Sequence, residues 1–309
     1  MPGIGVILNP YSRSNRKNPY RAEELGFIVG DKGSCHATHD IADVKKLAQE
    51  FKERQVEVIG ISGGDGTYQK TLTALIDVYG EIPLPLIALL GGGTMNNVVG
   101  ALGIRGTPET ILSRLIYRYH QDFPFKLAEL PLLKVNEQYG FLFGNGLAYR
   151  FLCDFNRVKG PTKWTALRML LASVFGALFH TKKGLALCER IDADVSLDGK
   201  PWPFKNYSSI FAGTVKTLGL GFHALYRANK EPGRFQICGF SLPPRQVIWS
   251  FPLLLLEKKI PSENWCDDLA SQVQIHYREP QGFMLDGELY PPAKKITLAL
   301  GPTLKIIVE

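Results

Sequence analysis

Short apolar runs alternate with amphipathic segments along the first part of this chain. The apolar runs have the length of β-strands and lie at residues 4–8, 56–61 and 82–90. Residues 41–54 and 108–119 instead carry apolar side chains at the spacing of one helix face. This alternation predicts an α/β domain with a parallel sheet over residues 1–127.

The pattern changes to strands from about residue 126. Residues 126–135 and 139–143 form a predicted hairpin, and residues 191–197 enter a second hairpin through Asp198-Gly199, a favoured turn pair. Further strands are predicted at 234–237, 273–277 and 295–300, and one helix at 163–180. Residues 128–309 are therefore expected to form a mostly β domain, whose last strand is free to return to the first domain.

Two apolar segments of this second domain have more than one interpretation. The helix at 163–180 is too short in its apolar run to span a bilayer, so it is predicted to pack on the protein. Residues 243–259 contain tryptophan, phenylalanine and four leucines before Lys258 and Lys259, a composition that can seat on a membrane interface. Core packing is the favoured expectation for those leucines.

A glycine-rich loop follows the second apolar run at once. Gly63-Gly64-Asp65-Gly66-Thr67 stands between this strand and a helical stretch at 68–76. A strand, a tight glycine loop and a helix start aim backbone N–H groups at an anion. Asp65 at that point can face a metal ion or accept a proton. The loop therefore suits a nucleoside triphosphate with magnesium, although Gly-Gly-Asp-Gly alone is also an ordinary turn composition.

Two other loops repeat this construction. Gly91-Gly92-Gly93-Thr94-Met95-Asn96 follows the apolar run 82–90, and Asn9-Pro10-Tyr11-Ser12 follows the run 4–8. In an open parallel sheet, ligands bind outside the carboxyl ends of the strands. The three loops are therefore predicted to face one crevice.

Four motifs in order resemble one known group of proteins. Asn9-Pro10, the Gly63–Thr67 loop, Gly93-Thr94-x-Asn96 and Asp286-Gly287-Glu288 are similar to the motifs of the diacylglycerol kinase/sphingosine kinase superfamily of lipid kinases. Phosphofructokinases and NAD kinases share the Gly-Gly-Asp-Gly loop without the late Asp-Gly-Glu. The resemblance implies a Rossmann-like α/β nucleotide domain, as in NAD kinases and phosphofructokinases, and a C-terminal mostly-β sandwich domain.

The resemblance also implies a reaction and roles for single residues. The reaction is Mg²⁺-dependent transfer of the γ-phosphate of ATP to a lipid hydroxyl. Asp286 is the implied base, Asp65 holds magnesium through water or shares the base role, and Glu288 lies near the nucleotide. Asp154 stands where relatives position the acceptor head group. The implied nucleotide contacts are Asn9, Thr38, Gly63, Gly64, Gly66, Thr67, Gly93, Thr94, Asn96 and Arg168, the last as a phosphate clamp.

Three positions depart from the family pattern. Asn97 stands where the family usually has an aspartate after Gly-Thr-x-Asn, so one negative charge is missing there. Arg13 replaces a small glycine, and 231–233 reads Glu-Pro-Gly where Asp-Gly is usual. These departures put metal affinity in question and leave open a non-catalytic lipid- or nucleotide-binding relative. A kinase of a soluble acceptor such as NAD is a third interpretation, against which the paired apolar segments argue.

Composition limits the partners and the compartment. The net charge of +7 and the pI near 9.1 fit a protein that binds polyphosphate or visits anionic lipid, and no nucleic-acid recognition motif is present. The five cysteines show no paired spacing, so reduced thiols and a cytoplasmic location, with peripheral membrane contact open, are expected. The sequence does not determine which lipid is the acceptor. It also does not determine the oligomeric state, and leaves a homo-oligomer open.

Overall fold

The computed structural model of this 309-residue chain describes residues 3–93, 97–158, 162–179, 181–187, 189–219 and 221–308. It divides into two compact units, Met1–Pro131 with Pro302–Glu309, and Leu132–Gly301. The sequence predicted a boundary near residue 127 and allowed the last strand to return to the first domain. In the structure the chain enters the second unit at Leu132 and rejoins the first unit at Pro302.

The first unit is built from alternating strands and helices. Its elements are β1 (Ile4–Leu8), α1 (Arg21–Val29), β2 (Gly33–Ala37), α2 (Ile41–Glu53), β3 (Val58–Ser62), α3 (Asp65–Tyr79), β4 (Leu86–Leu89), α4 (Asn97–Ala101), α5 (Pro108–His120) and the beginning of β5 (Leu127–Val135). The strand order is β4-β3-β1-β2, and all of these pairs are parallel. The carboxyl ends of β1, β3 and β4 therefore lie at one edge of the sheet.

The apolar runs form strands because both faces of this sheet are covered. Every residue of β1 and of β3 is buried, as is typical of parallel strands between helix layers. Helix α2 begins where the Asp40 side chain accepts a hydrogen bond from the backbone N–H of Asp43. Its Phe51 ring packs against Gly5 of β1 so closely that a Cβ there would lie 2.4 Å from the ring.

Sequence patterns missed or misplaced some elements of this unit. Helix α1 and strand β2 were not predicted, because only Leu25 and Val29 of α1 are buried and β2 has no fully buried residue. Strand β4 begins at Leu86, not at residue 82. Pro83 and Pro85 precede it, and proline has no N–H to donate to a neighbouring strand.

The second unit combines antiparallel strands with helices. Its elements are the end of β5, β6 (Gln138–Gly140), β7 (Leu142–Asn145), α6 (Leu147–Asn156), α7 (Lys163–Leu178), α8 (Lys182–Leu187), β8 (Ile191–Leu197), β9 (Lys200–Pro201), β10 (Asn206–Tyr207), β11 (Ser209–Gly213), β12 (Phe235–Phe240), α9 (Pro244–Leu255), β13 (Trp265–Ala270), β14 (Gln272–Leu285) and β15 (Glu288–Ile307). Strand β15 leaves this unit after Gly301.

Antiparallel pairing joins the strands of this unit in the order β13-β12-β11-β7-β14-β15, with β8 also paired to β14. The two predicted hairpins are present as β5–β6 and β8–β9. Alternate residues of β8 are buried in a core that includes Phe143, Phe235 and Ile275. This two-residue period made β8 visible in the sequence, whereas β11 (fully buried) and β13 were not predicted.

The helices of the second unit required a correction. The sequence predicted one helix here, whereas the described residues contain α6, α7, α8 and α9. The four leucines near the end of α9 were expected in the core. Leu255 and Leu256 instead expose 52% and 63% of their surface.

Candidate active site

The loop between β3 and α3 places a helix N-terminus at the carboxyl edge of the sheet. Gly64 is the N-cap residue, and α3 begins at Asp65 and runs for 15 residues. The first N–H groups of a helix have no partner within it and carry the positive end of the helix dipole. A Cβ on Gly63 would lie 2.5 Å from Thr67, so the loop closes tightly on its own helix. A helix N-terminus of this kind favours an anion, and phosphate binding at this loop stays a prediction.

Three strand-end loops of the first unit touch one another. The backbone N–H of Asn9 donates to the carbonyl of Ser62 at 3.0 Å, and the Asn9 side-chain amide donates to Thr67 Oγ1 at 2.9 Å. The N–H of Ser14 donates to the carbonyl of Gly92 at 3.0 Å. The predicted neighbours Asn9, Gly63, Gly64, Thr67 and Gly93 are thus brought together, with Gly66 in the first turn of α3.

Asp65 caps a second helix in addition to starting its own. Its two carboxylate oxygens accept hydrogen bonds from the backbone N–H groups of Asn97 at 3.0 Å and Val98 at 3.3 Å. These groups belong to the N-terminal end of α4. The family departure at Asn97 therefore lies directly beside Asp65, so an aspartate side chain there would add its charge close to this carboxylate.

Tyr68 is a positioning residue that the sequence did not single out. It is fully buried on α3, and its hydroxyl accepts a hydrogen bond from the N–H of Gly91 at 2.9 Å. Burial raises the pKa of Tyr68 far above its usual value, and the charge of Asp65 acts in the same direction. The neutral hydroxyl thus holds the second glycine loop against α3. A tyrosine at helix spacing gave no signal that distinguished it from an ordinary core residue.

Asn15 is a second such residue. It is 2% exposed, and its side-chain amide lies 2.8 Å from the carbonyl of Asn9 and 3.2 Å from both the carbonyl and the hydroxyl of Ser62. This one amide joins the loop after β1 to the end of β3. Its position in the basic stretch 13–21 gave no hint of burial, and only the fold reveals its role.

The structure does not test three of the predicted nucleotide contacts, namely Thr38, Thr94 and Asn96. Thr38 is 7% exposed, and its N–H and Oγ1 both donate to the carbonyl of Leu8, at 2.9 and 3.4 Å. These bonds hold the start of the loop after β2, and contact with a nucleotide stays a prediction. Thr94 and Asn96 lie outside the described residues.

In the second unit, Asp286 occupies the turn between β14 and β15. Asp286 and Gly287 have φ values of +50° and +86°, the conformation of a tight type I′ hairpin turn. The carboxylate is nevertheless buried, at 8% exposure. It accepts hydrogen bonds from the N–H of Phe141 at 2.9 Å and of Leu142 at 2.9 Å. The turn is therefore ordinary in its backbone, and its side chain is held in one orientation.

Asp198 provides an internal comparison for this turn. Asp198-Gly199 has φ values of +48° and +80°, and the Asp198 carboxylate also accepts backbone bonds, from Ser271 and Gln272. The hydroxyl of Ser271 and these N–H groups lower the pKa of Asp198. Asp198 is exposed, whereas Asp286 is buried. In both turns the aspartate carboxylate accepts backbone hydrogen bonds from a neighbouring segment. The Asp286 turn, which carries the Asp-Gly-Glu motif, differs in that its carboxylate is buried.

The other predicted residues of the second unit are separated along its elements. Asp154, near the end of α6, accepts a hydrogen bond from Arg157 at 3.1 Å. Glu288 begins β15 directly after the turn. Arg168 is exposed on α7, between Trp164 and Leu171 on the solvent-facing side of that helix. The roles of these residues in binding and catalysis stay predictions.

The loops of the first unit offer few protein ligands for magnesium, but their one carboxylate is of a suitable kind. Among the described residues, no group of three or more histidine, cysteine or acidic side chains could hold a metal ion. Mg²⁺ in phosphotransferases needs only one or two carboxylates, with substrate phosphates and water completing its shell. Asp65 is such a carboxylate, and its backbone bonds leave lone pairs for a water-mediated contact.

Comparison with known proteins shows which proteins this chain is similar to. Over residues 3–125 the chain matches the family model described as diacylglycerol kinase catalytic domain. The chain is 29% identical over 150 residues to the protein named probable lipid kinase YegS of Salmonella arizonae, covering 46% of this chain and 44% of that protein. Its namesake from Escherichia fergusonii is 28% identical over 107 residues, 34% of each chain. These matches span less than half the length of the curated relatives.

Solved structures share the fold over nearly the whole chain. A Bacillus anthracis protein described as a diacylglycerol kinase superposes with a TM-score of 0.72 at 18% identity, covering 99% of this chain and 97% of the other. Yeast NADH kinase superposes with a TM-score of 0.53 at 8% identity, covering 100% and 84%. The molecule therefore has the fold shared by diacylglycerol and NAD kinases.

Residues 3–125 are thus similar to the diacylglycerol kinase catalytic domain, the group that the motifs of the first unit resemble.

Proposed function

We propose that this protein is a lipid kinase that transfers the γ-phosphate of ATP to a hydroxyl of a lipid acceptor, diacylglycerol-like or sphingoid-like, in a Mg²⁺-dependent reaction. The observation that carries the proposal is the meeting of three strand-end loops at the N-terminus of α3, where Asp65 stands. The diacylglycerol kinase catalytic domain covers this same region. Phosphoryl transfer depends mainly on positioning and on charge stabilisation, and this is what such loops supply.

The residues of the first unit bind and orient the nucleotide in this proposal. The N–H groups of the first turn of α3 receive phosphate oxygens, with the loops at Gly63–Thr67 and Gly93 closing around them. Asn9 fixes Thr67 through its side-chain amide, and Asn15 in turn fixes Asn9. Magnesium, when bound, neutralises charge on the transferred phosphate, and Asp65 would hold it through water.

The residues of the second unit prepare the acceptor. Asp286 takes the proton of the attacking lipid hydroxyl as a general base, with its carboxylate oriented by the N–H groups of Phe141 and Leu142. Asp154 binds the acceptor head group, and Glu288 lies near the nucleotide. Arg168 on α7 binds a phosphate, for which its planar fork of donors is suited.

A soluble acceptor is the second candidate, because yeast NADH kinase shares the fold. Two observations favour the lipid. The curated relatives carry the name lipid kinase, and α7 and α9 expose large apolar side chains that a soluble acceptor does not require. A non-catalytic relative is the third candidate, motivated by Asn97 and Arg13.

The test is transfer of radiolabelled phosphate from γ-labelled ATP into a panel of lipids in detergent micelles, with NAD as the soluble acceptor. Asp286→Asn is expected to lower turnover by about 10²- to 10⁴-fold, the usual contribution of a general base. Asp198→Asn is the matched control, since it alters the same kind of turn in the same unit and should retain activity. Asp65→Asn should also lose turnover.

The possible results separate the three candidates. A labelled lipid that disappears with Asp286→Asn but persists with Asp198→Asn supports the lipid kinase. Labelled NAD without labelled lipid would move the assignment to the soluble acceptor. ATP binding without any transfer, rescued by Asn97→Asp, would show that the missing acid near Asp65 limits this chain.

A further inference from the structure

Helix α7 presents several large apolar side chains to solvent. Trp164, Leu171, Phe175 and Phe179 are exposed, by 79%, 40%, 50% and 75%, together with Arg168. Successive members of this stripe, which ends one residue beyond the helix, are separated by three or four residues, so they lie on one side. Among the side chains of this helix that the structure describes, the buried ones are the small residues Ala166 and Ala177. An ordinary surface helix has the opposite arrangement.

Helix α9 shows the same inversion. Arg245, Trp249, Pro252 and Leu256 are exposed at spacings of four, three and four residues, whereas the small polar Ser250 is buried. Helices α7 and α9 pack against each other. Within the second unit, two neighbouring helices thus each present tryptophan and aliphatic side chains to solvent. We name these two stripes the α7/α9 surface.

The charge around this surface has one sign. The sequence contains no acidic residue between Asp154 and Glu189, a stretch that includes all of α7 and α8, but it contains six lysine and arginine residues. No acidic residue lies between Glu231 and Glu257 either, and exposed Lys258 and Lys259 follow α9. Glu257 itself is paired with Lys216 at 2.8 Å. Basic side chains therefore border the apolar stripes.

Two of the four tryptophans of the chain are buried, and the other two are exposed. Trp202 and Trp265 are buried, at 6% and 8% exposure, in the second unit. Trp164 and Trp249 are 79% and 78% exposed, and both belong to the α7/α9 surface. Tryptophan favours the boundary between lipid chains and water, because its ring is apolar and its N–H can reach a polar partner.

We infer that the α7/α9 surface docks this protein on a bilayer that contains anionic lipid. Apolar and aromatic side chains whose charged neighbours are mostly basic, with Glu257 paired to Lys216, match an anionic interface, where the rings enter the acyl boundary and the cations meet head groups. Among the described residues, no helix is long and apolar enough to cross a membrane, so the surface lies on the bilayer. A second copy of this strongly basic surface would instead meet like charge.

This inference adds a partner to the proposed function and is tested independently of it, because docking needs neither ATP nor turnover. It explains how an enzyme with a lipid acceptor would reach it in a membrane. A protein that binds vesicles but transfers no phosphate would leave the docking surface in place and remove the proposed function. Asp286→Asn, which lies outside the α7/α9 surface, is expected to bind vesicles as the unchanged protein does.

The experiment measures binding of the full chain to vesicles of phosphatidylglycerol and phosphatidylcholine in equal amounts, by cosedimentation and by tryptophan emission. Brominated acyl chains should quench Trp164 and Trp249, and the emission should shift to the blue. The buried pair, Trp202 and Trp265, reports that each variant is folded. Vesicles of phosphatidylcholine alone, and raised salt, should bind much less protein because the basic side chains lose their partners.

The deciding variant is the double change Trp164→Ser with Trp249→Ser. Both side chains are exposed, so folding should be unaffected, and the partition coefficient should fall at least about tenfold. Phe27→Ser is the matched control, since Phe27 is an 89% exposed aromatic residue on α1 of the first unit. It should bind vesicles as the unchanged protein does.

Three results would overturn the inference. Vesicle binding that is unchanged in the double variant would place the contact elsewhere on the protein. Equal binding to neutral and anionic vesicles would remove the role of the basic side chains. An unchanged protein that self-associates and ignores vesicles, with a double variant that is monomeric by analytical ultracentrifugation, would assign the surface to a second copy of the chain.

Discussion

Two tyrosines of α3 show how differently similar residues act in this protein. Tyr68 and Tyr79 are both buried on the same helix, at 0% and 4% exposure. The hydroxyl of Tyr68 accepts the N–H of Gly91, whereas the hydroxyl of Tyr79 has no hydrogen-bond partner among the described residues. Only the first tyrosine is tied to a predicted phosphate loop. The helical pattern of the sequence treats the two positions alike.

Tyr68→Phe is therefore expected to destabilise the protein by about 1–3 kcal/mol, since the buried N–H of Gly91 loses its acceptor. The KM for ATP should rise, because the second glycine loop is no longer held against α3. Urea unfolding and steady-state kinetics measure the two effects.

Tyr79→Phe is the control for this change. It removes a hydroxyl that has no partner among the described residues, so stability and KM should stay the same or improve slightly. Equal losses in the two variants would show that ring packing, and not the hydrogen bond to Gly91, explains the effect.

At the scale of elements, the loops of the candidate site depend on close backbone contact. A Cβ on Gly64 would lie 2.8 Å from the Cα of Gly93, so the first and second glycine loops touch here without side chains between them. The φ of Gly64 is −103°, which any residue can adopt. Space, and not backbone strain, is what requires glycine at this position.

Gly64→Ala is expected to cost about 1–3 kcal/mol, the usual range for forcing a methyl group into a packed site. It should also weaken ATP binding, because the two loops must separate. Thermal unfolding and fluorescence titration with ATP would measure this.

Gly26→Ala in α1 is the comparison. The nearest atom to its new Cβ is that of Cys35 at 3.8 Å, an ordinary contact, so the helix should gain up to about 1 kcal/mol. ATP affinity that is unchanged in Gly64→Ala would contradict the assignment of these loops to the nucleotide.

At the scale of the whole molecule, partly or fully buried thiols in both units make stability depend on alkaline pH. Burial raises the pKa of Cys35, in the first unit, and of Cys266, in the second, from 9.0 to about 12. Cys238 shifts in the same direction for the same reason. The unfolded chain releases these protons near pH 9, whereas the folded protein keeps them until about pH 12. Their contribution to stability is therefore complete below pH 9 and is lost as the pH rises toward 12.

The free energy of unfolding, measured with urea, is expected to fall across this window. Cys35→Ala should make the slope shallower, whatever its effect on stability at neutral pH. Alkylating reagents should modify Cys35 and Cys266 slowly in the folded protein and quickly in urea. Rapid modification without urea, or a slope that Cys35→Ala leaves unchanged, would contradict the burial of these thiols.

The sequence by itself determined the fold class, the resemblance to lipid kinases and the glycine loops of the first unit. These features depend on local chemistry: buried parallel strands read as apolar runs, and tight phosphate loops require glycine at fixed positions. The β-hairpins of the second unit were equally visible, because alternation and Asp-Gly turns are local signals.

Tertiary structure alone decided which of these residues support one another. Asn15 and Tyr68 act through partners six to forty-seven residues away, a distance at which no sequence pattern is informative. The helices of the second unit were under-predicted, and the exposure of Leu255 and Leu256 reversed the expected core packing. An apolar run has the same composition whether it is buried or faces solvent, so only the packing of α7 and α9 reveals which of their side chains are left for a partner.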